Sequence, residues 1–211
     1  MDGKLVHVDQ PGYDALAELY AETFPSPYLT PIEKHAVAAF ADTVRDSRIY
    51  GVVVDVGCGL GQVAADLARR GLPVIGIDPS EGMLEFARRD NPELDFRIGD
   101  SMLEGMNRDV AVAAIISRFS LIHSNPAHVP GILRIWADRV PENGTVLVAC
   151  QMSEDADVVE FDHKVAPAWR WHPDRLSAEL SAAGFDELWR IAARPDADHR
   201  FPDVHMLARR R

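Results

Sequence analysis

Apolar positions along the first fifty residues recur every three or four. Tyr13, Leu16, Ala17, Tyr20 and Phe24 share one face, as a half-buried helix requires. A second stripe, Val37, Phe40, Ala41 and Val44, follows Thr30, Pro31 and Glu33, which stand in the order of an N-cap, a first-turn proline and a capping-box acid. From Tyr50 the pattern changes to short, continuous apolar runs at 51–56, 73–78, 94–99, 111–117 and 144–151. Helical periodicity fills the gaps at about 62–70, 80–90 and 126–139. The first of these helices is closed by Gly71, with Arg69 and Arg70 in its last turn. Such alternation predicts crossover units on a parallel sheet buried on both faces.

After the fifth run the rhythm breaks. Residues 153–172 are too long for an ordinary connection and rich in Trp, Phe and His, and they read as an irregular lid or substrate insertion. A helix over 173–183 is stopped by Gly184, and "FDELWRIAA" and "DVHMLAR" predict two closing strands paired as a hairpin. The expectation is one α/β domain over 1–211, a doubly wound seven-stranded sheet, with 1–48 as an N-terminal helical cover. Arg209, Arg210 and Arg211 read as a solvated basic tail.

Composition narrows the partners. With 33 acidic and 22 basic residues the net charge is −11, which disfavours a sequence-independent hold on nucleic acid. No apolar run reaches the roughly 18 residues a membrane span needs. Two cysteines and the lack of a signal-peptide pattern lead to the expectation of a cytoplasmic protein with reduced thiols.

The chemistry begins at "VVVDVGCGLG". Gly57, Gly59 and Gly61 follow the first strand, where bare backbone admits a tight turn and close approach of a ligand. Asp78 ends the second strand and Asp100 the third, so two carboxylates meet the crevice at the sheet's carboxyl edge. Asp78 suits the two hydroxyls of a ribose, and Asp100 suits an adenine amino group. The glycines also have a reading as a tight strand-to-helix turn and Asp78 as the acid that starts the helix over 80–90, but three successive strands ending in a glycine turn or an acid are hard to explain by packing.

In this order and spacing "VVVDVGCGLG", "VIGIDPS" and "FRIGDS" resemble motifs I, II and III of the class I S-adenosylmethionine-dependent methyltransferases. "FSLIHSNP" and "HKVAPAWRW" are further similar to small, mostly actinobacterial members acting on small molecules. The resemblance implies a Rossmann-like sheet with its last strand antiparallel, and S-adenosylmethionine as cofactor, leaving as S-adenosylhomocysteine. A nicotinamide oxidoreductase is the competitor, but its G-x-G-x-x-G fingerprint places the third glycine one residue later.

Carried over by position, the family roles put Gly57, Gly59 and Gly61 along the methionyl part, with Asp55 bracing the loop. Asp78 would hold the ribose, Pro79 and Met83 would pack near the adenine, and Asp100, Ser101 and Met102 would meet its edge. Ser117 would contact the methionine amino group through its backbone, and Tyr13 or Tyr20 would close over the carboxylate. Both tyrosines have an equal reading as core residues.

The implied reaction is methyl transfer to a small molecule, with oxygen favoured over nitrogen because histidines are at hand to take a proton. His163, in the 153–172 segment, is the first candidate base and His123 the second, each with a competing packing role. Phe161, Trp169 and Trp171 are candidates for an apolar substrate wall, and Arg170 or Arg118 for contact with a carboxylate. The Asn/Asp-Pro-Pro-aromatic sequence of enzymes methylating base amines is replaced by "ISRFSLIH", and Asp155, Asp157, Glu160 and Asp162 lack a metal-ligand pattern. Two other readings keep the cofactor but not the reaction: a non-methylating isomerisation or cyclisation, and a non-catalytic cofactor sensor.

Overall fold

The computed structural model describes residues 12–155, 157–194 and 200–211. Helices α1 (Gly12–Thr23) and α2 (Pro31–Ser47) precede strand β1 (Val52–Val56). Then come α3 (Gln62–Arg69), β2 (Val74–Asp78), α4 (Glu81–Asp90), β3 (Asp95–Ile98), β4 (Val112–Arg118), α5 (Val129–Arg139) and β5 (Thr145–Gln151). A short pair, β6 (Val159–Phe161) and β7 (Ala168–Arg170), is followed by α6 (Pro173–Ala183), β8 (Phe185–Ala193) and β9 (Asp203–Arg210).

The seven-stranded sheet has the order β3-β2-β1-β4-β5-β9-β8. Strands β1 to β5 pair in parallel, and β9 runs antiparallel to both β5 and β8. Because side chains alternate along a strand, each strand feeds two cores. Val54, Val56, Ile115, Val146 and Val148 pack with Leu133 and Trp136 of α5 and Leu176 and Leu180 of α6. Val53, Ala114, Ile116, Leu147 and Leu207 pack with Val37 and Phe40 of α2, Leu67 of α3 and Leu84 of α4. Strand order reverses between β1 and β4, and ligands of such sheets bind in the crevice beyond the carboxyl ends at that reversal.

Local signals explain most boundaries. Thr30 caps α2 by accepting from the Glu33 amide at 3.2 Å, while the Glu33 carboxylate returns to the Leu29 amide, one residue before the usual capping-box partner. Ser80 caps α4 through the Met83 amide. Helix α5 starts at Val129, three residues later than the periodicity suggests, because Pro130 is accommodated only in a first turn; a 3₁₀ turn, Leu121–His123, occupies the stretch before it.

Two expectations change. Residues 153–172, read as irregular, contain the antiparallel β6-β7 ribbon, whose three-residue strands are too short to show alternation. The arginine tail is not wholly solvated: Arg210 ends β9 and donates to the carbonyls of Ala137 and Gly184, and Arg211 pairs with Asp186 at 2.9 Å.

Candidate active site

The turn after β1 is held by its own backbone. The amides of Gly57 and Cys58 both donate to the Ile77 carbonyl, and Gly61 donates to Cys58. All three glycines have left-handed φ values, 71°, 51° and 72°. Their reasons for being glycine differ. A Cβ on Gly57 would lie 1.9 Å from Ser120 Oγ, and one on Gly61 2.6 Å from the Phe96 ring, so these two permit close packing. A Cβ on Gly59 would meet nothing within 4 Å, and its amide donates to Asp78 Oδ2 at 2.8 Å. Gly59 therefore borders open space beside the acid of β2.

Asp78 is buried, with Oδ2 on the Gly59 amide and Oδ1 on that of Ser80. Its burial raises the carboxyl above the ordinary range. Each oxygen keeps a further lone pair, which fits vicinal hydroxyls of a ribose. Pro79 beside it is exposed, whereas Met83 is buried beneath α1 with Tyr13, Tyr20 and Leu60. Asp100 Oδ1 accepts from the Met102 amide, the Ser101 hydroxyl lies 3.3 Å from that of Ser124, and Met102 is exposed.

Deeper in, burial and the neighbouring Asp78 push the Asp55 carboxyl up to about 7, opposed by Arg118. Asp55 takes a backbone hydrogen bond from Ala64 of α3, bracing the loop, and its Oδ2 has no partner among the described residues. Ser117 is fully buried with an equally unpartnered hydroxyl. Cys58 is buried and its thiol is pushed well up by desolvation, which makes it unreactive.

The cover reaches the site through α1. Asp14 accepts from the Ser80 hydroxyl at 2.7 Å and the Gly82 amide at 2.9 Å, at the N-terminus of α4. Gly82 permits the approach, since a Cβ there would stand 3.2 Å from the Asp14 carbonyl oxygen. This clasp was not legible in the sequence; glycine in the first turn of α4 is its one trace.

Tyr13 and His123 meet at 2.8 Å, phenol oxygen to Nε2. His123 Nδ1 lies 2.9 Å from the Pro167 carbonyl, which only accepts, so Nδ1 carries the proton and Nε2 receives the Tyr13 hydroxyl. The His163 ring stands 4.9 Å from that of His123, centre to centre, and edge-on to Phe161. Desolvation lowers both histidines, His163 to about 4, so both are neutral near pH 7. Desolvation raises the Tyr13 and Tyr20 phenols. The two candidate bases thus come together, with Tyr13 added to them.

The candidate substrate residues separate. Register puts Phe161 and Trp169 on opposite faces of the ribbon. Trp171 is buried in the core with Leu176, and Arg170 stacks 4.2 Å over Phe201. Arg118 is held by Glu33 at 2.6 Å and the Pro27 carbonyl at 3.0 Å, so its charge is already matched. A cavity of about 330 Å³ lined by Val44, Arg45, Tyr50 and Pro73 lies at the opposite, amino edge of the sheet.

The sheet order, with the glycine turn and the acids at successive strand ends, defines a Rossmann-like α/β fold with a crevice at the carboxyl edge of its sheet. A family model described as a methyltransferase domain matches residues 53–144. Ubiquinone biosynthesis O-methyltransferase of Azorhizobium caulinodans is 28% identical over 180 residues, 70% of this chain and 68% of that protein. Two solved structures share the fold. Magnesium protoporphyrin IX methyltransferase from Synechocystis with bound S-adenosylhomocysteine has a TM-score of 0.70 at 16% identity, covering 94% of this chain and 96% of that one. The Burkholderia thailandensis 1,6-didemethyltoxoflavin-N1-methyltransferase has a TM-score of 0.64 at 18% identity, covering 88% and 92%. Over residues 53–144 the chain is similar to methyltransferase domains, and its fold is that of solved S-adenosylmethionine-dependent methyltransferases.

Proposed function

We propose that the protein transfers the methyl group to a hydroxyl of a small molecule, with Tyr13 and His123 taking the acceptor's proton. The observation that carries this reading is the Tyr13–His123–Pro167 chain, whose donors and acceptors run in one direction. S-adenosylmethionine supplies a methyl group on a sulfonium that is a good leaving group, so positioning contributes much of the rate. Asp78 and the Gly57–Gly61 turn hold and orient the cofactor, with Asp100, Ser101 and Met102 beside the adenine and Ser117 near the amino group. Tyr13 accepts the acceptor's proton as its own moves to His123 Nε2, leaving an imidazolium steadied by the Pro167 carbonyl.

The ribbon over 159–170 forms the roof of the acceptor site. Support comes from the hydrogen bond of the Gly12 amide to the Val165 carbonyl, which joins roof to cover. His163, beside His123, shapes that roof and keeps water from the relay. Small-molecule acceptors are supported by the net charge of −11, by the similarity to a ubiquinone biosynthesis O-methyltransferase, and by the likeness of "FSLIHSNP" and "HKVAPAWRW" to actinobacterial small-molecule enzymes.

The test is release of S-adenosylhomocysteine with matched aromatic acceptors, one bearing a hydroxyl and one an amine. Turnover of hydroxyls that falls in Tyr13→Phe is expected. Turnover of amines alone, unaffected by that substitution, would overturn the reading.

A further inference from the structure

On the α2 side of the sheet, at its carboxyl edge, three strands place Arg118, Ala149 and His205 in one row. Arg118 pairs with Ala149 in register and Ala149 with His205, so all three side chains leave the same face. Ala149 between them is small, and the Phe119 ring stands 5.4 Å from the Arg118 guanidinium carbon and 5.9 Å from the His205 ring. Two residues further along β5, Gln151 projects from that face as well.

His205 is fully buried, and neither ring nitrogen has a hydrogen-bond partner among the described residues. The same holds for the buried Oε1 of Gln151 and the buried Nε of Arg118. Buried polar groups are nearly always paired, because stripping them of water without a replacement partner is unfavourable. Several orphans on one patch of one face therefore point to a ligand. Packing gives no other account of His205: its ring lies edge-on to Phe119, whose backbone is itself left-handed at φ 52°.

The patch adjoins the methyl donor's crevice. Arg118 directly follows Ser117, and the Tyr20 phenol is influenced by Arg118 and by Asp78. Its charge state defines what it accepts. Glu33 neutralises Arg118, and burial beside that guanidinium keeps His205 neutral. The surface offers N–H groups from Arg118 and His205 and lone pairs from His205 and Gln151, and the buried Asp203 carboxylate, opposite Gln151 in register, leaves the same face. A carboxylate would face those lone pairs with no unmatched cation to compensate.

We infer that Arg118, Gln151 and His205 form a buried recognition subsite that anchors the acceptor by a neutral substituent able both to donate and to accept hydrogen bonds, such as a hydroxyl or carboxamide. The inference rests on the methyl-transfer reading above and names the chemical class of that acceptor.

The test uses ¹⁵N-histidine-labelled full-length protein saturated with S-adenosylhomocysteine and titrated separately with phenol, benzamide and benzoate. Phenol and benzamide are expected to shift the His205 ring-nitrogen resonances, identified by their loss in His205→Phe, and to bind at least tenfold more tightly than benzoate. His205→Phe and Gln151→Leu should each weaken phenol at least tenfold while S-adenosylhomocysteine affinity stays within twofold. His205 resonances in the wild type that ignore phenol and benzamide overturn the subsite, and benzoate binding as tightly as phenol overturns its neutral character. Failure of the Tyr13–His123 relay shows instead as undiminished turnover in Tyr13→Phe, and leaves these titrations unchanged.

Discussion

The Tyr13 hydroxyl lies 2.8 Å from His123 Nε2, although 110 residues separate them. In the proposed function the two act as one relay, so their losses should not add. Tyr13→Phe and His123→Asn are each expected to lower kcat by about 10²- to 10⁴-fold, and the double variant by no more than the worse single one. Steady-state kinetics with calorimetry of cofactor binding checks this, and independent, multiplying losses would remove the relay.

Asp78 holds the turn, and in the proposed function it also holds the ribose of the cofactor. At roughly 1.5–3 kcal/mol for a hydrogen bond to a charged group, Asp78→Ala should weaken S-adenosylmethionine by at least about tenfold. Asp78→Asn should lie between wild type and alanine. Calorimetry that finds an unchanged Kd for Asp78→Ala would mean the ribose binds elsewhere.

Gly57 and Gly59 separate folding from binding. Gly57→Ala places a Cβ 1.9 Å from Ser120 Oγ and should lower the melting temperature, with partial recovery in Gly57→Ala/Ser120→Gly. Gly59→Ala meets no neighbour, so its stability cost should be only the roughly 1–2 kcal/mol of a left-handed backbone. Its cofactor affinity should nevertheless fall, because the new methyl points into open space beside Asp78. Equal melting temperatures for the two variants would contradict the packing assigned to Gly57.

Arg118 and Glu33 form a buried ion pair that ties α2 to the end of β4, with side chains 7% and 4% exposed. Glu33→Leu leaves an uncompensated guanidinium and should cost about 3–5 kcal/mol in urea unfolding. Glu33→Leu/Arg118→Met should recover most of that. A double variant as unstable as the single would show that the pair is not what Glu33 contributes.

Asp55 and His205 oppose each other in acid. In the folded chain Asp55 holds its proton up to about pH 7 against 3.8 ordinarily, so it favours folding at low pH, and that contribution is lost as pH rises through about 7. His205 resists protonation down to about 3 against 6.5 ordinarily, so its contribution is present above 6.5 and lost as pH falls. The limiting slopes are about 1.4 kcal/mol per pH unit each and opposite in sign. Relative to wild type between about pH 4.5 and 6, Asp55→Asn should lose stability on acidification and His205→Phe should gain it. Parallel pH profiles for all three proteins would discard both assignments.

The glycine turn, the acids at strand ends and the order of elements were legible because each is a local pattern, read within twenty residues. Contacts made across the chain were not. Glu33 signalled a helix cap, and did cap, yet nothing nearby pointed to Arg118 as its partner 85 residues away. His123 and His163 were visible as candidates, but their order depends on Tyr13 and Pro167, which only the tertiary fold delivers. His205 carried no motif at all. Its importance follows from the β5-β9 register, which turns it to the α2 face instead of the opposite one.

The clasp between Asp14 and the first turn of α4 helps to fasten the cover. A single exposed carboxylate grips one hydroxyl and one amide there, and these bonds hold its own pKa below the ordinary carboxylate range. The grip therefore persists in mild acid. Lifting α1 would uncover Met83 and the Asp78 turn together, and it would break the Asp14 clasp, the Tyr13–His123 contact and the Gly12–Val165 hydrogen bond at once.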